Sequence, residues 1–401
     1  MINISRAIKL VEQNTWRLKS EKVSLERVCG RILAENIFAD MDMPPFNRSQ
    51  MDGYAVKTSD TKAAPVRLKI VGEAAAGKSW NGRLKAGEAV RIMTGAAVPS
   101  GADAVQKLEL AREWDKQVEI FEETKKGQNI VARGAEIKKG KRVFWSGETV
   151  NAKMVASLAA FGYSEILVGA QPRVAVLSTG SEIVDVNQIP LPAQIRNSNS
   201  PMLHVYAEQS GARAESFPIT RDDLAQLKSN MEQAATRADV LILTGGVSVG
   251  KYDLTKLALK ELNAQIYFEK VALRPGKPTV FARLKNSLVF GLPGNPVSAA
   301  VTFHLFVRQC LLQMQGAGKP ELQNGFAVLT KTLKGIRERV SYLPVKLSTD
   351  KTGRLTAEPI KWGGSSDFVS FAAADGLVIL PPNKIIQAGE AAKIVYLNSE
   401  K

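Results

Sequence analysis

At 401 residues the chain is too long for one ordinary hydrophobic core, so about two to four domains are expected. Hydrophobic residues make up 45% and charged residues 23%, a globular composition. No apolar run reaches the roughly 18 to 20 residues that span a bilayer, and Met1-Ile-Asn-Ile-Ser-Arg6 lacks a signal peptide's apolar core, so a cytoplasmic protein without a membrane partner is expected. The net charge of +15 would suit a polyanion. Its lysines and arginines are scattered, however, apart from short clusters such as Lys138-Lys139-Gly-Lys-Arg142. No RNP-like, zinc-finger or helix-turn-helix pattern accompanies them, so nucleic acid is not expected as a partner. Cys29 and Cys310 form no C-x-x-C pair and argue for neither a disulfide framework nor a zinc ribbon.

In chain order, Ile4 to Lys19 carries a helical period, with Ile4, Ala7, Ile8, Val11 and Trp16 sharing a face. From Pro44 to about Gly147, Val-rich segments (Val66 to Val71, Ala89 to Met93, Gln117 to Phe121) alternate with Gly, Pro and Asn turns and predict a β-rich domain. Thr149 to Phe161 returns to helix and stops at Gly162. From Arg173 to Gln315 strands and helices alternate. The strand candidates are Val174 to Leu177, Ala214 to Ile219, Val240 to Leu243, Ile266 to Phe268 and Leu288 to Phe290. Helices are predicted from Ser200-Pro201 to Gly211, from a cap at Asp222 or Asp223, and from near Asp253. This is an open, doubly wound α/β unit. Phe326 to Leu397 reverts to short strands and reads as a small β-barrel. The resulting fold class is α/β multidomain. A linker and dimerisation domain is split over residues 1–43 and 141–170. A β-rich domain covers 44–140, a central α/β domain 171–319 and a C-terminal barrel 320–401. His204 and His304 lie in apolar helical patterns and read as packing residues rather than metal ligands.

Two motif matches lack their structural context. Gly72-Glu-Ala-Ala-Ala-Gly-Lys-Ser79 fits the P-loop pattern, but Trp80-Asn-Gly82 and Gly87 interrupt the helix that would have to start at the lysine. Gly246-Val-Ser-Val-Gly250 fits the hydrolase nucleophile elbow at Ser248. The preceding strand ends several residues too early, and the only later histidine, His304, sits in an apolar helix, so a Ser-His-Asp hydrolase is rejected.

What fits together is a ring of loops beyond the strand ends, where open α/β sheets bind ligands. Thr244-Gly-Gly-Val-Ser-Val-Gly-Lys-Tyr-Asp253 and Gly291-Leu-Pro-Gly-Asn-Pro296 each follow an apolar strand. Gly180, Gly245, Gly246, Ser248, Gly250, Pro293, Gly294, Asn295, Pro296 and Ser298 form the expected phosphate or oxyanion cradle, with Pro296 opening a helix toward it. Glu182, Asp222 and Asp253 follow three successive strands and are the candidate Mg²⁺ ligands, carboxylates suited to a hard cation. Lys270, Arg274 and Lys277 lie on a segment that Pro275 and Pro278 keep extended, and supply charge for an anionic ligand.

Met51-Asp-Gly-Tyr-Ala-Val56, Arg91-Ile-Met-Thr-Gly-Ala96, Ser178-Thr-Gly-Ser-Glu182, Arg274-Pro-Gly-Lys-Pro278 and the two glycine loops, collinear through most of the chain, resemble the molybdopterin molybdenumtransferase family, which includes MoeA and the gephyrin E domain. The resemblance implies four subdomains in an elongated homodimer. It also implies a reaction in which adenylylated molybdopterin and molybdate meet, a divalent cation assists hydrolysis of the adenylate, and molybdenum is left on the dithiolene. Asp52 and Thr94 would then reach into the partner's site, and Glu136 would stand at a substrate-binding position. The adenylyltransferase of the same pathway and molybdoenzyme apoproteins become possible partners. The sequence departs from the family in three places. Glu136 replaces an aspartate in Gly134-Ala-Glu-Ile137, Asn197-Ser-Asn199 lacks one carboxylate, and Pro344, after Arg339-Val-Ser-Tyr342, falls near where the resemblance would place a functional arginine. The alternatives are a molybdopterin adenylyltransferase, which would explain only Arg173 to Gln315, or a scaffold paralogue that has lost its chemistry.

Overall fold

The computed structural model describes residues 1–246, 254–361 and 363–397. They form two compact units, one of residues 1–35, 146–152 and 165–401, the other of residues 36–145 and 153–164. Among the described residues no helix is long and apolar enough to cross a membrane.

The first unit begins with α1 (Ile4–Asn14), whose N-cap Asn3 accepts a hydrogen bond from the Arg6 amide at 2.7 Å. Ile4, Ala7 and Val11 are buried along one face, as the helical period requires. The helix is shorter than the expected run to Lys19. Asn14 Nδ2 and Thr15 Oγ1 donate to the carbonyls of Leu10 and Val11 at 2.8 and 2.7 Å, and Thr15 turns extended, so side chains close the last turn and Trp16 falls outside it.

The α/β domain follows. Its strands are β1 (Arg173–Ser178), β2 (Arg213–Ser216), β3 (Val240–Thr244), β4 (Gln265–Phe268), β5 (Val280–Leu284) and β6 (Ser287–Leu292), in the sheet order β2-β1-β3-β6-β5-β4. β2, β1, β3 and β6 are parallel, and β5 runs against both of its neighbours. Strand β5 is not among the sequence candidates, because the Pro275–Pro278 segment hides the start of an apolar run that pairs as a tight hairpin with β6.

Alternation along the central strands feeds two cores. Val174, Val176, Val240, Ile242, Leu288 and Phe290 pack with α1, with α2 (Asn199–Gln209) and with the helical stretch that starts at Pro296. Ala175, Leu177, Leu241, Leu243 and Val289 pack with α3 (Leu224–Arg237) and α4 (Leu254–Glu261). Strands buried on both faces read as unbroken apolar runs, which is why they were visible in the sequence. The helix α5 (Pro296–Thr302) continues through a π-helical turn, Phe303–Val307, into Arg308–Met314. His304 lies in that turn, its ring tilted against that of Tyr206 with centroids 4.7 Å apart, and burial pushes its imidazole pKa down to about 3, so it is a neutral core residue. His204 lies on α2 beside Ser216 Oγ at 3.2 Å. Cys29 is exposed and Cys310 buried, and both are free thiols.

The chain ends in a closed five-stranded barrel of β7 (Asn324–Leu329), β8 (Val340–Thr349), β9 (Leu355–Pro359), β10 (Gly376–Leu380) and β11 (Ala391–Tyr396). It closes where β8 pairs with β10, around Ala327, Leu329, Val345, Ala357, Val378 and Ile394. The strand pair Ser20–Ser24 and Glu165–Gly169 completes this unit.

The second unit is β-rich. Its six-stranded sheet runs in the order Ala104–Lys107, Gly53–Val56, Glu88–Ile92, Val66–Ala74, Gln117–Ile120, Ala111–Trp114. Tyr54, Leu68, Ala89 and Val118 are buried on one face, Ala55, Ala74, Val90 and Val105 on the other. The P-loop lookalike is a tight turn: Ala75 and Lys78 exchange backbone hydrogen bonds at 3.0 Å around Gly77, and no helix follows Lys78. The Trp80 indole covers Gly72, where an added Cβ would sit 2.2 Å from the ring nitrogen.

Candidate active site

The sheet order places β1 between β2 and β3, so the chain leaves β1 toward one side and enters β3 on the other. A crevice opens at such a switch point beyond the carboxyl ends of the strands. Four loops meet there. After β1, Thr179 bridges to Thr220, and Gly180 N donates to Thr220 O at 3.2 Å. Ser181 N donates to Asp222 Oδ2 at 3.1 Å and Ser181 Oγ accepts from the Asp222 amide at 3.2 Å, which zips the loops after β1 and β2 together. Glu182 and Asp222 are thereby held on adjoining loops, both exposed. The Glu182 carboxylate folds over Gly180, where an added Cβ would lie 2.7 Å from its Oε2. Asp223 caps α3 through the Gln226 amide at 3.0 Å, which assigns the two neighbouring aspartates different tasks.

After β3, Gly245 presses against the Thr179 carbonyl and Gly246 against Thr179 and Thr255, both with positive φ. After β6, Gly294 faces Gly245, whose Cα would lie 3.7 Å from a Cβ added at Gly294. Asn295 is the N-cap of α5 with Pro296 at its first turn, as expected. Ser248, Gly250 and Asp253 lie outside the described residues.

Beside these loops is a cleft of about 570 Å³ lined by Arg274, Lys277, Pro293, Asn295, Ser298, Arg339, Ser365 and the neighbouring Gly and Pro backbone. Among the described residues that line it, three are cations and none is a carboxylate. Arg274, Lys277 and Arg339 have no ion-pair partner among the described residues. Uncompensated positive charge in a recess is a standing attraction for an oxyanion. Lys270 is not part of the lining; its carbonyl accepts from the Ile2 amide at 3.0 Å.

Arg339 and the Gly363–Ser365 loop come from the barrel domain and were not among the sequence candidates. Asn295 Nδ2 donates to Ser365 Oγ at 2.8 Å and Val297 N to Ser365 O at 3.1 Å, so the barrel loop docks on the first turn of α5. Asp367 holds that loop, accepting from the Gly363 amide at 2.8 Å and from Ser370, and these bonds keep its carboxyl below the usual range. The signal available in sequence was the Gly-Ser-Ser-Asp run itself, but its partner lies about 70 residues earlier in the chain.

In the second unit Asp52 Oδ1 accepts from the Thr94 amide at 2.7 Å and from Thr94 Oγ1 at 3.0 Å. Both bonds favour the ionised form, and the Asp52 carboxyl lies below its ordinary range. Glu136 is exposed and pairs with Arg48 at 3.1 Å. Among the described residues no group of three His, Cys, Asp or Glu converges on a metal position. Glu182 and Asp222 nevertheless fit Mg²⁺, which commonly takes one or two carboxylates and fills its remaining positions with water and substrate phosphate.

Family models match the chain over most of its length. Residues 2–162 match the MoeA N-terminal region (domain I and II), 175–313 a probable molybdopterin binding domain, and 327–397 the MoeA C-terminal region (domain IV). A molybdopterin molybdenumtransferase of Staphylococcus aureus strain COL is 34% identical over 404 residues, covering 100% of this chain and 96% of the relative. That of Staphylococcus epidermidis RP62A is 33% identical, covering 99% and 96%. A solved molybdopterin biosynthesis MoeA protein of Pyrococcus horikoshii is 34% identical, superposes with a TM-score of 0.83, and covers 100% of both chains. The fold and site define a transferase of molybdenum cofactor biosynthesis. The chain belongs to the molybdopterin molybdenumtransferase family.

Proposed function

We propose that this protein, acting in the cytoplasm as a homodimer, inserts molybdenum from molybdate into adenylylated molybdopterin and releases AMP. The observation that carries this reading is the cleft of Arg274, Lys277 and Arg339, three cations without an ion-pair partner among the described residues, beside the glycine loops of the switch point. A recess of this size and charge suits a tetraoxoanion next to a phosphorylated pterin. In the overall reaction water splits the phosphoanhydride bond of the adenylate and completes both phosphates, so AMP departs; the two dithiolene sulfurs bond to molybdenum, and one molybdate oxygen takes up the two thiol protons and leaves as water. Arg274 and Lys277 offset the charge of phosphate and molybdate. The loops after β3 and β6 seat the substrate. Glu182 and Asp222, with Asp253 as the third candidate, would hold Mg²⁺, which would supply Lewis-acid polarisation of the phosphoryl oxygens.

Purified protein given adenylylated molybdopterin, Mg²⁺ and molybdate should release AMP, and chelating the cation should stop it. Adenylylation of molybdopterin from ATP, without AMP release from the adenylate, would reverse the assignment in favour of an adenylyltransferase. Matches that extend over nearly the whole length of the relatives support the insertase reading, because the α/β domain alone would answer the adenylyltransferase.

The role proposed for Asp52 and Thr94 is to complete the partner's site. Co-expression of Asp52→Asn with Glu182→Gln, each inactive alone, is then expected to restore about a quarter of wild-type activity. Half of randomly assorted dimers are mixed, and each mixed dimer has one intact site. Restoration absent from a demonstrated heterodimer would place Asp52 in its own subunit's chemistry instead.

A further inference from the structure

Asn199, in the first turn of α2, is buried to 8% exposure, and neither of its hydrogen bonds serves the helix. Its Nδ2 donates to Thr244 Oγ1 at 2.8 Å and to Gly294 O at 2.7 Å. Thr244 Oγ1 in turn donates to Pro293 O at 3.3 Å. One side-chain amide, with a single hydroxyl relay, therefore turns two successive carbonyls of the loop after β6 inward. Both peptide units are trans. A planar trans unit points its N–H opposite to its C=O, so the N–H groups of Gly294 and Asn295 are turned away from Asn199 and Thr244. Pro293 and Asn295 both line the cationic cleft. Neither N–H has an acceptor among the described residues.

We propose that Asn199 is a positioning residue that aims the Gly294 and Asn295 N–H groups at the anionic substrate, preorganising them as an oxyanion-type donor pair. The inference rests on the reading of this crevice as the site of adenylate cleavage and molybdate capture. Preorganised backbone donors stabilise developing negative charge because they need no reorientation when the charge appears. An amide is required at this position. Its two acceptors, Thr244 Oγ1 and Gly294 O, both need a donor, and no ionisable side chain is hydrogen-bonded to Asn199 among the described residues.

Asn199→Asp makes the point testable by pH. An ionised carboxylate donates nothing and repels the Gly294 carbonyl, whereas the protonated acid regains one donor. A carboxyl buried among acceptors has a raised pKa. At pH 8 kcat/KM for AMP release should fall about 10- to 100-fold, and the ratio of variant to wild type should recover several-fold by pH 6. A ratio equal to one, or one that does not change with pH, overturns the proposal. If Asn199→Asp does not fold at pH 8, Thr244→Val removes the relay in nearly the same volume. That variant should raise KM about 3- to 10-fold and lower the unfolding temperature by a few degrees, because the Asn199 amide and the Pro293 carbonyl each lose a partner; an unchanged KM argues against the network.

A binding readout separates this proposal from the functional reading. Gly294-Asn295 is the only Gly-Asn pair in the chain, so ¹³C′-Gly and ¹⁵N-Asn labelling isolates one amide resonance. Molybdate should move that resonance downfield in the wild type and not in Asn199→Ala. A shift without AMP release would leave Asn199 in its role and remove the insertase assignment. No shift in the wild type, or the same shift in both proteins, would remove Asn199 from the site.

Discussion

Gly245→Ala is expected to lower kcat/KM for AMP release by at least about 100-fold, the scale of a loop misplaced by about 1 Å, and to destabilise the chain by about 2–4 kcal/mol. Gly245 has φ +90°, a backbone conformation that costs an L-residue about 1–2 kcal/mol before any contact is considered. The added methyl would also sit 2.1 Å from the Thr179 carbonyl oxygen, far inside contact distance, and a carbonyl at a strand end cannot swing aside. The loop after β3 must therefore move, and with it the approach of Gly294 to the Gly245 Cα. Gly77→Ala is the control. Its φ of +76° is similar, but nothing lies within 4 Å of the added atom, so only the conformational cost of about 1 kcal/mol should appear, with activity unchanged. Kinetics of AMP release together with denaturant melts separate the two variants. A Gly245→Ala enzyme with wild-type kinetics would mean that this loop does not seat the substrate.

Arg274→Ala should lower kcat/KM by about 10²- to 10³-fold, the usual loss when one donor aimed at developing charge is removed. The effect should fall largely on the molybdate concentration needed for half-maximal rate, because Arg274, Lys277 and Arg339 share the cleft with no carboxylate among its described lining residues to offset them. Arg274→Lys keeps the charge and loses the planar fork, so it should recover only part of the activity. Raised ionic strength should weaken molybdate capture in the wild type, and less so in Arg274→Ala, since screening acts on the charge that was removed. A molybdate dependence unchanged by alanine at Arg274, Lys277 and Arg339 alike would move the oxyanion elsewhere.

Much of the α/β domain was legible because its signals are local. Strands β1, β3 and β6 are apolar runs bounded by glycine loops, and Asp223 and Pro296 mark helix starts by the bonds and dihedral angles that those residues favour. The departures also have local causes visible only in three dimensions. Helix α1 stops early because the side chains of Asn14 and Thr15 donate to the carbonyls of Leu10 and Val11, and β5 is a strand because β6 offers it an edge.

The sequence by itself determined the class of fold, the family resemblance and most of the residue types around the crevice, since each of these is written in short windows of periodicity, turn chemistry and motif. Only the tertiary structure decided which charges meet. It brought Arg339 and Ser365 from the barrel to Arg274 and Lys277, left Lys270 out of the lining, and gave Asn199 a task in holding the loop after β6. Such contacts join residues from about 60 to about 95 positions apart, and no local preference of the chain encodes them. They follow from sheet order and from barrel docking, which fix where loops end once the cores have packed.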